Sequence, residues 1–246
     1  METTIIAISL IIALGAFTQG LTGFGLALVS VPLLSLTIDA KMAVPIAAIF
    51  GWLVTFPIVW KMRAHIQVKA GLILFLGSIP ASFFGAKLLS NLPSSYILIA
   101  MGVVLIASSI YSMRVSTPLF TKFSTPAALG AGFCSGILGA SVGEPGPPAI
   151  AYFSMQPWTA DQTKSTLVFF FMLQMVGAIA SFWNEGLINQ EVTDHIITAM
   201  PGFVIGMTGG MVGYHLLQKY NINYHRLIHS MLLVVGCILV LKNITF

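Results

Sequence analysis

The sequence is poor in charged residues. Only 7% of its 246 residues are Asp, Glu, Lys or Arg, against about 25% in soluble domains. Hydrophobic residues make up 57% of the chain, and its mean hydropathy is +0.95. Charges this sparse, spread over long apolar runs, exclude an ordinary soluble domain and predict an integral membrane protein.

Other absences narrow the function. The eleven Lys and Arg are scattered singly, so the net charge of +4 forms no basic stripe for nucleic acid. Cys134 and Cys237 lie apart in apolar runs, without the spacing of a disulfide framework or a metal site. The zinc-protease motif, the phosphate-binding loop and the dinucleotide fingerprint are missing. We therefore expect no metal, no cofactor and no enzyme. The N-terminus lacks the basic segment of a cleaved signal peptide, and we expect it to remain in the first membrane segment.

Apolar runs place the candidate membrane spans, which need about 20 residues as helices. Six of them, the last one short, are residues 42–60, 66–89, 94–111, 165–183, 196–217 and 227–241. Two further regions, 4–36 and 126–156, each contain an apolar half, a break and a second apolar half. The breaks read TQGLTGFG (18–25) and GASVGEPGPP (139–148), where glycine and proline disfavour a continuous helix. We expect arms of about 10–15 residues, which reach little past the middle of a hydrocarbon core about 30 Å thick.

The positions of Lys and Arg distinguish two topologies. If each broken region crosses the membrane once, these residues divide 6 against 5 between the two sides. If each is a hairpin that enters and leaves on one side, they divide 8 against 3. Because cytoplasmic loops are enriched in Lys and Arg, the charges predict re-entrant hairpins, with both termini outside. The cytoplasmic group is then Lys61, Arg63, Lys69, Arg114, Lys122, Lys164, Lys219 and Arg226.

Matching residues indicate an internal repeat. Gly20-x-x-Gly23 matches Gly136-x-x-Gly139, and GAKLL (85–89) resembles GYHLL (213–217). Residues 1–113 and 126–246 would be two repeats joined by a cytoplasmic linker, 114–125. Each contains one hairpin and three spans, and an odd number of spans inverts the second repeat. The predicted fold is an all-α polytopic membrane protein of about eight hydrophobic segments, built from two inverted repeats.

The two breaks predict a binding site. Irregular backbone at membrane depth survives only where it is buried in protein or lines a cavity. The second arm of each hairpin would start near the midplane, with Pro147 first in its arm. Two helix N-termini, each partially positive, would then form a site for a small anion. The candidate contacts are Thr18, Gln19, Gly20, Thr22, Gly23, Phe24, Gly25, Ser135, Gly136, Gly139, Ser141, Gly143, Gly146 and Gln174.

Structural roles are the alternatives for these residues. The glycines could serve close helix packing, the hydroxyls could bond their own helix, and Gln174 could join two helices. Glu144 is the one acidic residue at membrane depth, where ionisable groups are usually functional. We hypothesise that it is protonated when the anion is bound and supplies proton coupling. Its alternatives are a structural partner, such as His215 or Lys164, and a shallow, solvated position.

The first broken region resembles a known family. GAFTQGLTGFGLALVSVPLL (15–34), with a degenerate copy beginning GAGFCSGILGA (130–140), is similar to the TauE/SafE sulfite exporters, also called toluene-sulfonate uptake permeases. The resemblance covers nearly the whole chain. Relatives tend to carry a glycine-rich run where this chain has GEPGPP (143–148). The resemblance implies a multi-pass inner-membrane transporter for a sulfur-containing anion such as sulfite or a sulfonate, in either direction.

The partners implied are membrane lipid, a small anionic substrate and a coupling ion, either a proton or sodium. No nucleic acid is expected, and a homo-oligomer stays open. Two other functions fit part of the sequence. Broken half-helices also build the filters of anion or small-solute channels. An intramembrane serine protease, with Ser141 as nucleophile and His215 as base, is a remote alternative, because Val142 follows the serine and prolines break the helix.

Overall fold

The computed structural model of the protein describes residues 2–22, 25–114, 123–220 and 225–244. Within these residues the chain forms ten α-helices, one short 3₁₀ turn and no strand. The helices are α1 (Glu2–Thr22), α2 (Leu26–Leu34), α3 (Ala40–Met62), α4 (Val68–Asn91), α5 (Ser94–Arg114), α6 (Thr125–Ser141), α7 (Gly146–Ser154), α8 (Ala160–Asn184), α9 (Gln190–Tyr220) and α10 (His225–Ile244).

Among the described residues, five helices are long and apolar enough to cross a membrane. Their apolar parts are Thr4–Leu21, Ala40–His65, Val68–Asn91, Asp161–Asn184 and Gln190–Gly213. The predicted spans 94–111 and 227–241 fall within α5 and α10. Large apolar side chains face outward, with Leu10 66% and Ile205 70% exposed, as lipid contact requires. The prediction of an all-α, multi-pass membrane protein is confirmed.

The lengths of the hairpin arms differ from the expectation. α1 has 21 residues and α6 has 17, or about 31 Å and about 25 Å at 1.5 Å per residue. α2 and α7 have 9 residues each, about 13 Å. The expectation of arms of about 10–15 residues was therefore wrong. Gly15 and Gly20 lie inside α1 without ending it, because each packs closely against a neighbouring helix.

Each short helix folds back along the long helix before it. In the first pair, the Leu26 N–H donates to Gln19 Oε1 (3.0 Å) and Ser30 Oγ donates to the Ile11 carbonyl (3.4 Å). In the second pair, the Tyr152 hydroxyl near the end of α7 donates to the carbonyl of Ser124, just before α6 (2.8 Å). Both broken regions are thus antiparallel helix pairs, and in the second pair the end of α7 reaches the start of α6.

Glycine contacts join each long arm to a helix of the other half of the chain. Gly202, Gly206 and Gly210 of α9 lie against the backbone of residues 9, 13 and 17 of α1, so the two helices run parallel. In the same way Gly132 and Gly136 of α6 lie against residues 74 and 78 of α4. Small residues allow this close approach of backbones, which is a common mode of helix association in membranes.

Hydrogen bonds between helix termini define the two ends of the bundle. At one, the Gln67 N–H donates to Thr166 Oγ1 (2.9 Å), which joins the starts of α4 and α8. We call it the basic end, and it carries Lys61, Arg63, Lys69 and Lys164.

The opposite end, here the acidic end, is defined by Asp39 and Glu185. Ser94 Oγ donates to Asp39 Oδ2 (2.9 Å), and Ser90 Oγ donates to Glu185 Oε2 (2.8 Å). Lys41 Nζ caps the end of α4 by donating to the Ser90 carbonyl (2.7 Å). These bonds gather the starts of α3 and α5 with the ends of α4 and α8.

Helix directions place both outer helix termini at the acidic end. α9 starts there, since it follows α8 after a short turn, and α1 runs parallel to it. α10 crosses α5 in the antiparallel direction, with Gly102 against Val240 and Gly236 against Ile106, so it ends there. The α1–α2 pair therefore begins and ends at the acidic end, and the α6–α7 pair at the basic end.

The glycine contacts yield a test of this packing. A Cβ on Gly132 would overlap the Leu74 carbonyl oxygen, whereas a Cβ on Gly130, two residues earlier on α6, meets nothing within 4 Å. We expect Gly132→Ala to lose about 1–3 kcal/mol of unfolding free energy. Gly130→Ala should be neutral or gain up to about 1 kcal/mol from helix propensity. Thermal unfolding in detergent measures both, and equal melting temperatures for the two variants would contradict the α4–α6 contact.

Candidate functional site

The two breaks meet at one small cavity. Its volume is about 40 Å³, whereas a single water needs roughly 10–15 Å³, so it has room for a small ion or a few waters. It lies half-way along α3 and α8. Its lining is Gln19, Gly25, Ala27, Leu28, Gly51, Thr55, Glu144, Pro145, Gly146, Phe171 and Met175.

The first break supplies the start of α2. Gly25 adopts φ +109°, a conformation that glycine takes without strain, and α2 begins at the next residue. Gln19, 5% exposed, reaches from α1 to accept the Leu26 N–H. Ala27 and Leu28 follow in the first turn, where N–H groups have no acceptor inside the helix. Gly23, Phe24 and the side chain of Thr22 lie outside the described residues.

The second break runs from the end of α6 to the start of α7. Gly143 adopts φ +78° and turns the chain, so that the Glu144 N–H donates to the Leu138 carbonyl (3.1 Å). A Cβ on Gly143 would come within 2.8 Å of Val31 on α2, which shows how closely the two hairpins approach each other. Residues 139–146 are all buried.

The start of α7 differs from the expectation in one residue. Gly146, and not Pro147, is its first residue, with Pro145 as N-cap. Prolines therefore occupy the N-cap and the second and third helical positions, none of which carries an N–H. Only Gly146 offers an N–H among these four residues. This helix start lines the cavity but is poor in hydrogen-bond donors.

Glu144 is a buried acid at the cavity. Its side chain is 2% exposed, and its Oε1 atom has no hydrogen-bond partner within the described part of the chain. This burial excludes the alternative of a shallow, solvated position. Of the two candidate partners, Lys164 and His215, only Lys164 has a described side chain, and it makes no bond to Glu144 Oε1. The side chain of His215 is outside the described residues. A buried carboxyl group with an unbonded oxygen is costly unless something binds it.

Gln174 lies directly behind the second break. It is fully buried, and its Nε2 atom and Pro145 Cβ lie 2.6 and 2.9 Å from the point that a Cβ on Gly139 would occupy. Neither Oε1 nor Nε2 has a hydrogen-bond partner among the described residues. Ser135, one turn before Gly139, is also fully buried with an unbonded hydroxyl. Because Gly139 has no side chain, the Gln174 amide can lie against the break at this position.

The remaining predicted residues have local or packing contacts. Thr18 Oγ1 donates to the Leu14 carbonyl (2.9 Å) and Ser141 Oγ to the Ile137 carbonyl (2.7 Å), each bonding its own helix. Gly20 lies against Gly210 on α9, and Gly136 lies against α4. The structure therefore brings Gln19, Gly25, Glu144 and Gly146 to the cavity lining, whereas Thr18, Gly20, Gly136 and Ser141 are not part of that lining.

Sequence reasoning missed seven of the lining residues: Ala27, Leu28 and Pro145 at the helix starts, and four on the walls formed by α3 and α8. Gly51 and Thr55 on α3 face Phe171 and Met175 on α8, with Met175 Cε 4.0 Å from the point of a Cβ on Gly51. A signal for them existed. Helices α3 and α8 begin 120 positions apart, at residues 40 and 160. Gly51 and Phe171 are separated by the same 120 positions, and so are Thr55 and Met175. Aligning the two halves at their helix starts would have paired these positions.

Comparison with known proteins identifies the family. A sequence model described as sulfite exporter TauE/SafE matches residues 8–240, nearly the whole chain. The chain belongs to this family. A search of the curated proteins and a search of the solved structures found no match to this chain.

Membership of the TauE/SafE family makes the protein a membrane transporter, in a family of transporters and not of enzymes. The matched region includes both breaks and every helix that lines the cavity. In this TauE/SafE protein Ser141 donates its hydroxyl hydrogen to a carbonyl of its own helix, which gives no support to a role as nucleophile.

Gln19 offers a direct test of the first break. Gln19→Leu leaves the buried Leu26 N–H without its acceptor, so we expect a loss of about 1–3 kcal/mol and a melting temperature lower by roughly 2–4 °C per kcal/mol. Gln67→Leu is the control, because the backbone of Gln67 and not its side chain bonds Thr166. The same small change in both variants, measured by thermal unfolding, would argue against the capping role of Gln19.

Proposed function

We propose that this TauE/SafE protein is a secondary transporter that binds a small sulfur-containing anion, such as sulfite, in the cavity between the two breaks. The observation that carries the proposal is the convergence of the starts of α2 and α7 and the carboxyl group of Glu144 on one cavity. Both helix starts favour an anion through their partial positive charge, and the start of α2 also offers N–H groups. A volume of about 40 Å³ suits an inorganic oxyanion better than a bulky organic sulfonate.

The architecture that supports this transporter is a pair of inverted repeats. α1 packs parallel to α9, and its proposed counterpart α6 packs parallel to α4, the counterpart of α9. α5 and α10, the last helices of the two halves, cross antiparallel through Gly102 and Gly236. An axis in the membrane plane that exchanges the halves accounts for all three contacts. Binding sites at the interface of such repeats are a feature of many secondary transporters.

The membrane orientation follows from the two ends of the bundle. We propose that the basic end is cytoplasmic, because Lys and Arg are enriched there. The acidic end, with both termini, is then outside in an inner-membrane protein. The α1–α2 hairpin would enter from outside and the α6–α7 hairpin from the cytoplasm, so that both breaks approach the cavity from opposite sides.

A reporter fused to the C-terminus tests the orientation. Alkaline phosphatase, which is active only outside the cytoplasm, should be active in this fusion, whereas green fluorescent protein should be dark after Sec-dependent export. A fusion truncated after residue 122, in the linker proposed to be cytoplasmic, should show the reverse pattern and is the matched control. A C-terminal fusion that behaves like the linker fusion would contradict the hairpin topology.

Glu144 is the proposed coupling residue, because it is the one acid among the described residues that line the cavity. We expect Glu144→Gln to lower gradient-driven anion accumulation in proteoliposomes by about 5- to 150-fold, the range of coupling free energies of about 1–3 kcal/mol. Exchange of labelled for unlabelled sulfite should persist, since exchange at equal concentrations needs no net movement of a coupling ion.

The control is Glu185→Gln, which removes an acid at the acidic end that bonds Ser90 and is remote from the cavity. Wild-type uptake should saturate with sulfite concentration. Unsaturated flux that no ion gradient drives would identify a channel, and normal accumulation by Glu144→Gln would remove Glu144 from the coupling step.

A further inference from the structure

The two breaks differ in the groups that they offer to a ligand, and this difference indicates that they bind different ions. We propose that the second break, residues 139–146 with Gln174, is a binding site for sodium, while the first break holds the anion. The coupling role of this sodium rests on the proposed function, but the site itself stands on the unbonded oxygen atoms of the residues in and beside the break.

Backbone oxygens are the first part of the site. α6 ends inside the protein, and the carbonyls of its last residues point past its end toward the break. Within the described part of the chain, no hydrogen bond reaches the carbonyl oxygens of residues 139–142, although all four residues are buried. Buried carbonyl groups are nearly always bonded, so a cluster of unbonded ones indicates a missing ligand.

Side-chain oxygens are the second part. Glu144 Oε1 and Gln174 Oε1 are both unbonded among the described residues, and the two side chains are 2% and 0% exposed. Both residues adjoin Pro145: Glu144 precedes it in the chain, and Gln174 lies beside it across Gly139. Hard cations take carboxylate, amide and backbone oxygens as ligands. Unwound backbone carbonyls and the ends of half-helices hold sodium in other transporters.

Backbone donor groups are scarce at the same place, although the Gln174 Nε2 lies beside it. The three prolines at 145, 147 and 148 remove the N–H groups that an anion would use at the start of α7. The first break has the opposite composition. Ala27 and Leu28 carry N–H groups in the first turn of α2, the Leu26 N–H being bonded to Gln19, and no charged side chain among the described residues lines that part of the cavity. An anion is therefore better served at the first break and a cation at the second.

The charge at the second break favours a monovalent ion. The end of α6 contributes about −0.5, the start of α7 about +0.5, and an ionised Glu144 contributes a full negative charge. The sum is about −1, which one sodium ion neutralises. Among the described residues there is no cluster of three His, Cys, Asp or Glu that would hold a transition metal. A proton on Glu144 would satisfy one oxygen and leave the amide and carbonyl oxygens unbonded.

The direct test is thermal unfolding of the purified protein in NaCl and in KCl of equal ionic strength, without any anionic substrate. A site that binds only the folded state raises the melting temperature by roughly 3–6 °C when sodium is about ten times its dissociation constant. We expect this saturable rise with sodium and a smaller one with potassium. The same curve in both salts would overturn the site.

Two glutamines provide a matched pair of variants. Gln156 is also buried with an unbonded Oε1, but it lies after α7, away from the break, and its Nε2 donates to the Tyr152 carbonyl (3.2 Å). Gln174→Met should lose the sodium shift, and Gln156→Met should keep it. Since the Gln174 amide bonds no described group, Gln174→Met should be at least as stable as wild type in KCl. Lower stability there would show a structural amide and contradict the site. Glu144→Gln gives an independent loss of the shift.

Transport separates the failure of this inference from the failure of the proposed function. Sulfite accumulation driven by a sodium gradient, with no pH gradient, supports the sodium site. Accumulation driven only by a proton gradient and indifferent to sodium overturns it and leaves the anion transporter standing. A sodium-specific thermal shift without uptake or exchange of sulfite under any gradient would support the site and refute the proposed transport of this anion.

Discussion

Most of this structure depends on how the backbone is bonded where helices stop inside an apolar interior. Lipid offers no hydrogen-bond partner there and little water is present, so each N–H or carbonyl group without a bond raises the free energy of the folded state. The first break is bonded in part by a side chain, since Gln19 accepts the Leu26 N–H. The second is also bonded in part, since the Glu144 N–H bonds Leu138 while later carbonyls stay open. Among the described residues, the first break thus leaves the N–H groups of Ala27 and Leu28 for a ligand, and the second leaves oxygens.

Close helix packing holds the two breaks in place, and it joins the halves of the chain. α1 is held by glycines of α9 and α6 by contacts with α4, so each hairpin lies on a helix from the other half. Neither half could bury these faces alone. The two halves of the chain therefore fold as one unit, and the cavity between the breaks is formed only when both halves are present.

The sequence predicted features that depend on local chemistry. The breaks were found because glycine and proline disfavour helix, and Glu144 because it is the lone acid in a long apolar region. Arm lengths were not predictable in this way. Gly15 and Gly20 resemble helix breakers, yet both stay helical because a missing side chain lets another helix approach. Glycine is ambiguous for the same reason: Gly20 and Gly136 matched the expected motif, but their open sides face helices, whereas Gly25 faces the cavity. Thr55 and Met175 were missed because their spans contain no break in the helical pattern. Their position on the cavity wall becomes visible only when α3 and α8 are seen packed across the cavity.

Electrostatics explains why an anion carrier would place a carboxylate beside its substrate. With Glu144 ionised and no cation bound, the cavity repels an anion. The sodium ion that we propose at the second break would remove this repulsion and add an attraction. Two unit charges 4 Å apart at an effective dielectric constant of 20 interact by about 4 kcal/mol, and at twice that distance by about 2 kcal/mol. Either value reaches the 1–3 kcal/mol that is typical of coupling between two sites. By reciprocity the anion strengthens sodium binding equally, so the fully loaded and the empty cavity are the favoured states. A carrier that changes conformation only when its cavity is fully loaded or empty couples the movement of the two ions, even if the residues that bind one ion do not touch those that bind the other. In this mechanism the charge of Glu144 causes the coupling.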